Sequence, residues 1–589
     1  MRQPPGHPDT RTPGHPDTRT PGHPEQYSAL VASIWGTVSF ERTVVGVART
    51  VTSTARMLDA LELLRPDPRI GALFAYDDRS VFGEGVLDLL RDVGASAIAW
   101  SDLDTVECDL IVSASENVEG APAGVPLLVV PHGVGFHKLV PDGSGSGRRV
   151  SGLVPGEVLE GRRFVLAVSD EGAARYLSAV QPQAALHASV TGDLAWEQLE
   201  ASAELRRSYR SALGCSDDQR LVVISSTWGP RSQFGTWSSL AGELAGSLPA
   251  DEYRIVQILH PNVWASLGAY RVRTLMRDAL DAGVALTSPY RGWQAALVAA
   301  DLVIGDHGSV TFYGAALGRP VLLAAFGSGE IVADTPMAAL GVSAARLSRR
   351  VRLLPQVAQA LAGPSGELAG IARRALPPGV PAGERLRSEM YGLLGLVAPS
   401  GPAQRRAAPE PVAERREVAA CVVYAEVVDD GGPKPLVVLS RYPAAAERGQ
   451  SRTPDTVHYL MAPADEPDRV LAEAADVVLG HGVDERASAA GACDGLLERF
   501  PGCAAAAVPV AGGCLLRLRG RRWMLAVSIV PTASFGERPG VLADGTVAAA
   551  CAYALLVLKG GADDDAGANS ARVRLGAHLF TLSVARVSD

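Results

Sequence analysis

The chain has 589 residues, which is too long for a single hydrophobic core of ordinary size. Of these residues 47% are hydrophobic and 20% are charged, a composition typical of globular proteins. A net charge of -9, without an arginine-rich stripe, argues against nucleic acid and against an anionic membrane surface as partners. Seven scattered cysteines without a Cys-x-x-Cys pair predict reduced thiols and a cytoplasmic location, and no apolar run is long enough to predict a transmembrane segment.

The first residues contain a repeat. "PGHPDTRT" begins at Pro5 and again at Pro13, and "PGHPEQ" begins at Pro21. Proline at this density cannot sustain a helix or a sheet ladder, so we predict a disordered tail over residues 1–27. Metal binding by the repeated histidines, and a start codon placed upstream of the true one, are the alternatives.

Short buried strands alternate with amphipathic helices over residues 28–205. The predicted strands are Ile70–Tyr76, Ala95–Trp100, Cys108–Ala114, Val125–Gly133 and Phe164–Ser169, and a helical pattern covers residues 81–94. This alternation predicts a Rossmann-like parallel sheet covered on both faces.

The alternation restarts over residues 206–397, after a junction near Gly192–Leu213. The predicted strands are Arg220–Trp228, Tyr253–Pro261, residues 300–308 and residues 319–326. The sequence thus predicts a second doubly wound unit of similar size. Paired sheets of this kind bind ligands in the cleft between them, at the carboxyl ends of the strands.

Residues 398–417 are rich in Pro, Ala and Arg and are predicted to form a linker. Residues 418–589 mix predicted strands (419–428, 514–520 and 521–530) with predicted helices (469–480 and 546–558). The predicted fold class is therefore α/β, with two facing Rossmann-like units and a C-terminal α+β domain whose function the sequence does not indicate.

Polar residues follow several predicted strands at the edge that faces the cleft. They are His132, Thr227, His260, Asp306, Gly308 and Ser309. Taken singly, each has a structural explanation: a histidine after a strand is commonly a turn residue, and Ser309 could cap the helix that follows. Taken together, two histidines and a helix start with free N–H groups are typical of a phosphate site.

The motifs "VVPHG", "GDLAWEQL", "ISSTW", "LHPN" and "DLVIGDHGSVTFYGAALGRPVLL" follow one another over residues 128–326. In order and spacing they resemble the CDP-glycerol glycerophosphotransferases of teichoic acid synthesis. The resemblance implies a GT-B fold and a nucleotide-activated donor held mostly by the second unit. The same strand–turn–helix shape also occurs in GT-B glycosyltransferases and in UDP-N-acetylglucosamine 2-epimerases.

The resemblance also implies roles for single residues. His132 would act as general base on the acceptor hydroxyl, since an imidazole titrates near operating pH. His260 would stabilise the leaving nucleotide. The donor diphosphate would be held at Thr227, Asp306, Gly308, Ser309 and Thr311, and Glu330 is a candidate contact to the ribose or sugar. No acidic pair suits a metal, so we predict no essential metal and no cofactor beyond the nucleotide-activated substrate.

The leading hypothesis is a transferase that moves a glycerol-phosphate, polyol or sugar group to a hydroxyl acceptor, which includes lipid-linked acceptors at the inner face of the membrane. Where the family has Asp-Tyr-Ser-Ser, this chain has Asp306-His307-Gly308-Ser309, so two alternatives stay open. One is a UDP-sugar 2-epimerase or ordinary glycosyltransferase, for which Glu330 and Asp334 are the candidate carboxylates. The other is a GT-B shell that binds without catalysis.

Overall fold

A computed structural model of the chain describes residues 39–131, 133–141, 147–432, 434–446, 457–483, 486–531, 545–558 and 569–588. The tail predicted over residues 1–27 and the candidate base His132 lie outside these residues. The described residues form two seven-stranded sheets, a closed barrel and a two-stranded ribbon.

The first unit is a parallel sheet flanked by helices. Its strands are β1 (Arg42–Ala48), β2 (Ile70–Tyr76), β3 (Ala97–Ala99), β4 (Leu110–Ser113) and β5 (Leu127–Val129), then the ribbon of β6 (Leu139–Pro141) and β7 (Arg148–Val150), then β8 (Phe164–Val168) and β9 (Ala188–Val190). Its helices are α1 (Val51–Leu61), α2 (Val86–Asp92), α3 (Gly156–Leu159), α4 (Glu171–Val180) and α5 (Pro182–Ala185), with a 3-10 helix at Trp100–Thr105. The strand order β3-β2-β1-β4-β5-β8-β9 places the topological switch between β1 and β4, where such sheets bind ligands.

The second unit repeats this architecture. Its helices are α6 (Leu194–Ala201), α7 (Arg206–Ala212), α8 (Gln233–Thr236), α9 (Leu240–Ala245), α10 (Pro261–Leu275), α11 (Arg277–Asp281), α12 (Trp293–Ala299), α13 (Ser309–Ala316), α14 (Pro336–Ser343), α15 (Leu353–Ala362) and α16 (Gly366–Arg373), with 3-10 helices at Ala203–Leu205 and Ser328–Glu330. Its strands are β10 (Arg220–Ser226), β11 (Tyr253–Leu259), β12 (Ala285–Thr287), β13 (Leu302–Gly305), β14 (Val321–Leu323), β15 (Ala345–Arg346) and β16 (Ala413–Glu414). The order is β15-β14-β13-β10-β11-β12-β16, parallel except for β16.

The apolar runs become strands because both faces of each sheet are covered. Leu221 and Val223 of β10 contribute to one core, and Val222 and Ile224 contribute to the core on the other face. A strand buried on both sides reads as a continuous apolar run, which is the pattern that predicted it.

Helix α17 (Ala382–Leu394) returns to the first unit. Leu386 and Met390 are buried in the core of the first sheet, and the hydroxyl of Tyr391 donates to Asp67 at 2.8 Å. We predicted that residues 206–397 form the second unit, whereas this final helix packs on the first. The chain therefore crosses between the units at the start of α6 and at the start of α17, and it crosses again where residues 398–417 lead from α17 to β16 of the second sheet.

Residues 398–417, which we name the strap, run along both units. Ala408 N–H donates to Ser202 Oγ at 2.8 Å, and Arg406 binds Glu62 of the first unit at 2.8 Å. Strand β16 within the strap pairs with β12. The predicted linker therefore extends the edge of the second sheet.

The C-terminal domain is a closed barrel of nine strands. They are β17 (Cys421–Val428), β18 (Leu436–Pro443), β19 (Val457–Pro463), β20 (Val477–Leu479), β21 (Ala505–Val510), β22 (Gly513–Leu518), β23 (Trp523–Pro531), β24 (Asn569–Leu575) and β25 (His578–Ser588). Its helices are α18 (Arg469–Ala474), α19 (Arg486–Arg499) and α20 (Gly545–Leu558). Residues from all nine strands pack against α20, which fills the interior.

The predicted mix of strands and helices in this domain is present, but the closure into a barrel was not predicted. Residues 469–480, predicted as one helix, form α18 followed by β20. Val477 and Val478 are fully buried because β20 pairs with β19 and with β21. Tertiary pairing overrides the helical pattern at this point.

All seven cysteines are free thiols, as predicted, and every one except Cys108 is buried. Among the described residues, no helix combines the length and the apolar character that a membrane span requires.

Candidate functional site

A cavity of about 1410 Å³ lies between the two sheets, at the carboxyl ends of their strands. Turns from both units line it: from the first unit Arg49, Arg79, Glu116, Gly133 and Ser169, and from the second unit Thr227, His260, Ser288 and His307. Ligand pockets usually measure about 300–1,000 Å³. The cavity therefore has room for more than one small substrate.

Asp306 shapes the second unit's side of the cavity without facing it. The side chain is fully buried, and its carboxylate accepts the backbone N–H groups of Thr227 at 2.9 Å, Gln233 at 2.7 Å and Gly308 at 2.9 Å. Burial raises the pKa of Asp306, while His307 and these N–H groups act in the opposite direction. The carboxylate that we placed at the donor diphosphate thus binds the protein backbone.

The helix start at α13 differs in detail from the prediction. Gly308 is the N-cap and Ser309 is the first helical residue. Because the Gly308 amide binds Asp306, it is not offered to a ligand, which is a correction to the predicted phosphate turn. The amides of Ser309 and Val310 have no acceptor within the described part of the chain, and both residues line the cavity.

Thr311 also points away from the cavity. Its side chain is fully buried, and its hydroxyl accepts the Asp306 backbone N–H at 3.2 Å. Gly308 packs tightly against the neighbouring turn, because a Cβ there would lie 3.0 Å from Asp306 Oδ1 and 3.1 Å from the Cβ of Thr227. Thr311 and the missing side chain of Gly308 therefore stabilise the turn, while Ser309 and Val310 reach the cavity.

Thr227 meets a lysine of the first unit. Lys138 Nζ donates to Thr227 Oγ1 at 3.0 Å and lies 4.8 Å from the ring centroid of Trp228. Phe82, also from the first unit, lies 5.2 Å from the same ring. Burial lowers the pKa of Lys138, and Asp306 and Glu330 act in the opposite direction. Lys138 was not among the predicted site residues, although it is one of only three lysines in the chain.

His260 lines the cavity at the start of α10. Its Nδ1 accepts the backbone N–H of Asn262 at 3.1 Å, so the ring caps the helix. A ring that accepts at Nδ1 carries its proton at Nε2. His260 therefore combines the structural capping role with a donor nitrogen in the wall of the cavity.

Ser309 brings the loop after β5 against α13. The Val134 N–H lies 3.4 Å from Ser309 Oγ, and a Cβ on Gly133 would approach that oxygen to 2.8 Å. Gly133 thus permits a close approach between the units. The structure places this loop, but His132 itself lies outside the described residues, and its role as base stays a prediction.

Glu330 is held by a buried histidine. His307 Nδ1 accepts the Gly327 N–H at 3.1 Å, and His307 Nε2 lies 3.0 Å from Glu330 Oε2. Arg231 adds an ion pair to Glu330 at 3.7 Å. Burial lowers the pKa of His307, so the neutral ring with its proton on Nε2 fits both bonds. Glu330 is thereby ordered beside the cavity rather than in its lining.

A second polar cluster, at the first unit's edge, also escaped sequence analysis. Asp77 is fully buried and binds Arg49 and Arg79, and Arg149 binds the buried Glu116 at 2.6 Å. Burial alone would raise the pKa of Asp77, but the facing Arg79 and Arg49 lower it. Arg49, Arg79 and Glu116 follow β1, β2 and β4, so the strand-end rule that selected the histidines could have found them.

The wall of the cavity can therefore bind an anion and transfer protons. Six cationic side chains line it, against four carboxylates; the cations are Arg49, Arg56, Arg79, Lys138, Arg149 and Arg291, and the carboxylates are Asp59, Glu62, Glu116 and Glu119. The cations outnumber the carboxylates of the lining, although the buried Asp77 beneath it pairs with both Arg49 and Arg79. Together with the helix-start amides, these cations favour negatively charged ligands. His260 adds a nitrogen that can donate to a leaving group.

Comparison with known proteins gives distant similarities only. No protein-family model and no curated protein matches the chain. A variant of the wall teichoic acid polymerase TagF is similar over 61% of this chain and 90% of its own, at 12% identity and a TM-score of 0.42. The S. aureus MnaA–UDP structure covers 62% and 100%, at 12% identity and 0.37. The UDP-GlcNAc 2-epimerase from Neisseria meningitidis, bound to UDP-GlcNAc, covers 60% and 99%, at 15% identity and 0.36.

Proposed function

We propose that the chain is a transferase that takes a glycerol-phosphate, or a related polyol or sugar group, from a nucleoside-diphosphate donor to a hydroxyl acceptor. The observation that carries the proposal is the cavity between the two sheets, whose wall joins the amides of Ser309 and Val310 to the ammonium of Lys138 and the imidazole of His260. Fixed N–H donors and positive charge in this arrangement favour the binding of a diphosphate.

The donor lies on the second unit in this scheme. The free amides of α13 and the hydroxyl of Ser309 bind its phosphates, because the positive end of the helix dipole faces the cavity there. His260 donates from Nε2 to the departing nucleotide. The first unit holds the acceptor, and the volume of about 1410 Å³ accommodates both substrates.

The reaction balances without a further reagent. The acceptor oxygen attacks the β-phosphorus, the bond from that phosphorus to the bridging oxygen breaks, and a nucleoside monophosphate leaves. The acceptor proton passes to a base, the role that the family resemblance gives to His132. In the related sugar transfer, the oxygen attacks the anomeric carbon and a nucleoside diphosphate leaves.

One observation favours the alternative of a UDP-sugar 2-epimerase. That chemistry needs a carboxylate near C2 of the sugar, and Glu116 is a buried carboxylate in the lining of the cavity. The carboxylates considered from the sequence suit the role less well, because neither Glu330 nor Asp334 lines the cavity. A shell that binds nucleotides without turnover is the third possibility.

A nucleotide panel tests the proposal. Thermal unfolding is measured with cytidine, CDP, UDP, CDP-glycerol and UDP-N-acetylglucosamine, since a ligand at about a hundred times its dissociation constant stabilises the native state by about 2.7 kcal/mol. Products are then followed with a glycerol-phosphate acceptor. His132→Ala and His260→Ala are compared with His481→Ala, whose side chain is 82% exposed on the barrel.

The transferase predicts stabilisation by CDP-glycerol and release of CMP that depends on the acceptor, on His132 and on His260 but not on His481. Stabilisation by uridine nucleotides with loss of turnover in Glu116→Gln supports the epimerase. Stabilisation without turnover of any donor supports the binding shell. If none of the nucleotides shifts the unfolding temperature, the proposal is wrong.

A further inference from the structure

We infer that Lys138 provides the counter-charge for a phosphoryl group in the cavity, and that it does so from the first unit, so that the anion site is complete only when both units contribute. The inference rests on the proposed function in taking that phosphoryl group to belong to the donor. It assigns a binding residue that neither the motifs nor the predicted turn contains.

Lys138 is held in place from both sides of the cleft. Its backbone forms a bridge to Ile331 of the second unit, and the neighbouring His137 carbonyl accepts the Val332 N–H at 2.9 Å. Ser151 N–H donates to the Lys138 carbonyl at 2.9 Å within the first unit. The backbone position is thus fixed, and the side chain extends to Thr227 with little freedom left to lose on binding.

Within the described residues, the ammonium contacts neutral partners only. Its contacts are the Thr227 hydroxyl and the Trp228 ring, and no carboxylate among the described residues forms an ion pair with it. The two nearest acidic groups are engaged elsewhere, Asp306 by three backbone amides and Glu330 by His307 and Arg231. A partly buried charge without a counter-ion costs free energy, which a bound anion would recover.

The surroundings specify the kind of anion. Lys138 and Thr227 line the same cavity as Ser309 and Val310, whose amides also lack acceptors in the described chain. An ammonium offers three donor hydrogens, of which Thr227 takes one. A phosphate oxygen can accept the others while it binds the helix-start amides. Because these groups come from both units, a bound phosphate would hold the units together.

Inorganic pyrophosphate and CDP are the probes, with binding measured by titration calorimetry. Lys138→Met removes the charge and keeps most of the side-chain length. Lys434→Met is the matched control, since that lysine is exposed on the barrel and binds only Ser570 within the described residues. Circular dichroism and thermal unfolding without ligand verify that both variants are folded.

Lys138→Met is expected to weaken the binding of pyrophosphate and of CDP by about thirtyfold, which is the effect of removing one member of a desolvated charge pair. The binding of cytidine should be unchanged in Lys138→Met, and the binding of all three ligands should be unchanged in Lys434→Met. Lysine acetylation read by mass spectrometry gives a second measurement that needs no variant. Of the three lysines, only Lys138 should become protected by pyrophosphate.

The inference is wrong if Lys138→Met binds pyrophosphate as tightly as wild type, or if Lys138 is acetylated equally with and without pyrophosphate. In that case the proposed function still stands if the wild-type chain turns over a donor. Lysine-dependent pyrophosphate binding without turnover of any donor supports the inference and counts against the transferase. If the wild-type chain binds neither pyrophosphate nor CDP, both are wrong.

Discussion

The carboxylate of Asp306 accepts the backbone N–H of Thr227 at 2.9 Å, which fixes the turn after β10 against the turn after β13. Both turns reach the cavity, the first through Thr227 and Trp228 and the second through Gly308 and Ser309. One buried carboxylate therefore positions two walls of the site, although its own oxygens face the backbone.

Asp306→Asn should reduce the free energy of unfolding by about 3 kcal/mol, because an amide offers one acceptor oxygen where the carboxylate satisfies three buried N–H groups. Chemical denaturation at neutral pH measures the loss. Asp334→Asn, at an exposed position with a φ of 60° that asparagine tolerates, should leave stability within about 0.5 kcal/mol of wild type. A similar small effect of Asp306→Asn would show that its hydrogen bonds do not order these turns.

His307 should make stability fall in mild acid. Burial lowers its pKa in the folded chain, so the unfolded chain takes up the proton more readily. The stabilisation from the neutral ring is fully present at pH values above about 6.5, the pKa of a histidine in the unfolded chain. It is lost as the pH falls from there towards the lower pKa of His307 in the folded chain. Denaturation of wild type and His307→Gln at pH 7.5 and pH 5.5 provides the comparison.

The stability difference between wild type and His307→Gln should shrink at the lower pH, because the variant has no imidazole to titrate. His481→Gln serves as control, since that ring is largely exposed. A difference that stays constant or grows at pH 5.5 would mean that the buried ring does not remain neutral as its two hydrogen bonds require.

The strands could be predicted because a buried parallel strand is recognisable locally. The predicted Ile70–Tyr76 and the observed β2 coincide, since every residue of the apolar run pairs with β1. Whether the Gly308 amide faces a ligand or binds Asp306 could not be predicted from the sequence in the same way. Both an open phosphate turn and a turn closed by the side chain two residues earlier fit "GDHGS", and only the geometry of Asp306 distinguishes them.

Long-range placement escaped prediction for a different reason. Lys138 can be recognised as a candidate site residue only from its contact with Thr227, which lies 89 positions further along the chain. Helix α17 has an amphipathic pattern that fits either unit, and the hydrogen bond from Tyr391 to Asp67, 324 positions apart, shows which one it joins. A single sequence contains no signal for such pairs.

Tyr391→Phe should destabilise the first unit by about 2 kcal/mol, because it removes a buried hydrogen bond to a charged carboxylate. Burial and Asp67 raise the pKa of Tyr391 to about 12, so the phenol stays protonated over the whole physiological range. Thermal or chemical unfolding measures the effect, with Tyr270→Phe at an 85% exposed position as control. Equal stability of the two variants would contradict the anchoring of α17 through this bond.

The barrel should loosen from the second unit in Asp251→Asn. Arg441 of β18 binds both carboxylate oxygens of Asp251, at 2.9 and 2.5 Å, and the side chains are only 18% and 12% exposed. The pair should contribute about 1–2 kcal/mol, between the values for exposed and for buried ion pairs. The readout is the rate of tryptic cleavage in the strap, which contains Arg405 and Arg406.

Faster cleavage is expected in Asp251→Asn and not in Asp88→Asn, whose partner Arg91 lies on an exposed helix face. The strap pairs with β12 on one side and leads into β17 on the other, so release of the barrel should expose it. Unchanged cleavage would show that the ion pair does not hold the barrel in place.

Whether a nucleoside diphosphate occupies the space between the two sheets is decided by a crystal structure of the chain grown with CDP or UDP. We predict density for the diphosphate within hydrogen-bonding distance of Lys138 Nζ and of the Ser309 and Val310 amides, with His260 facing the phosphate nearer the nucleoside. A nucleotide bound elsewhere, or a diphosphate directed to Arg49 and Arg149 with the α13 amides left free, would contradict the proposed site.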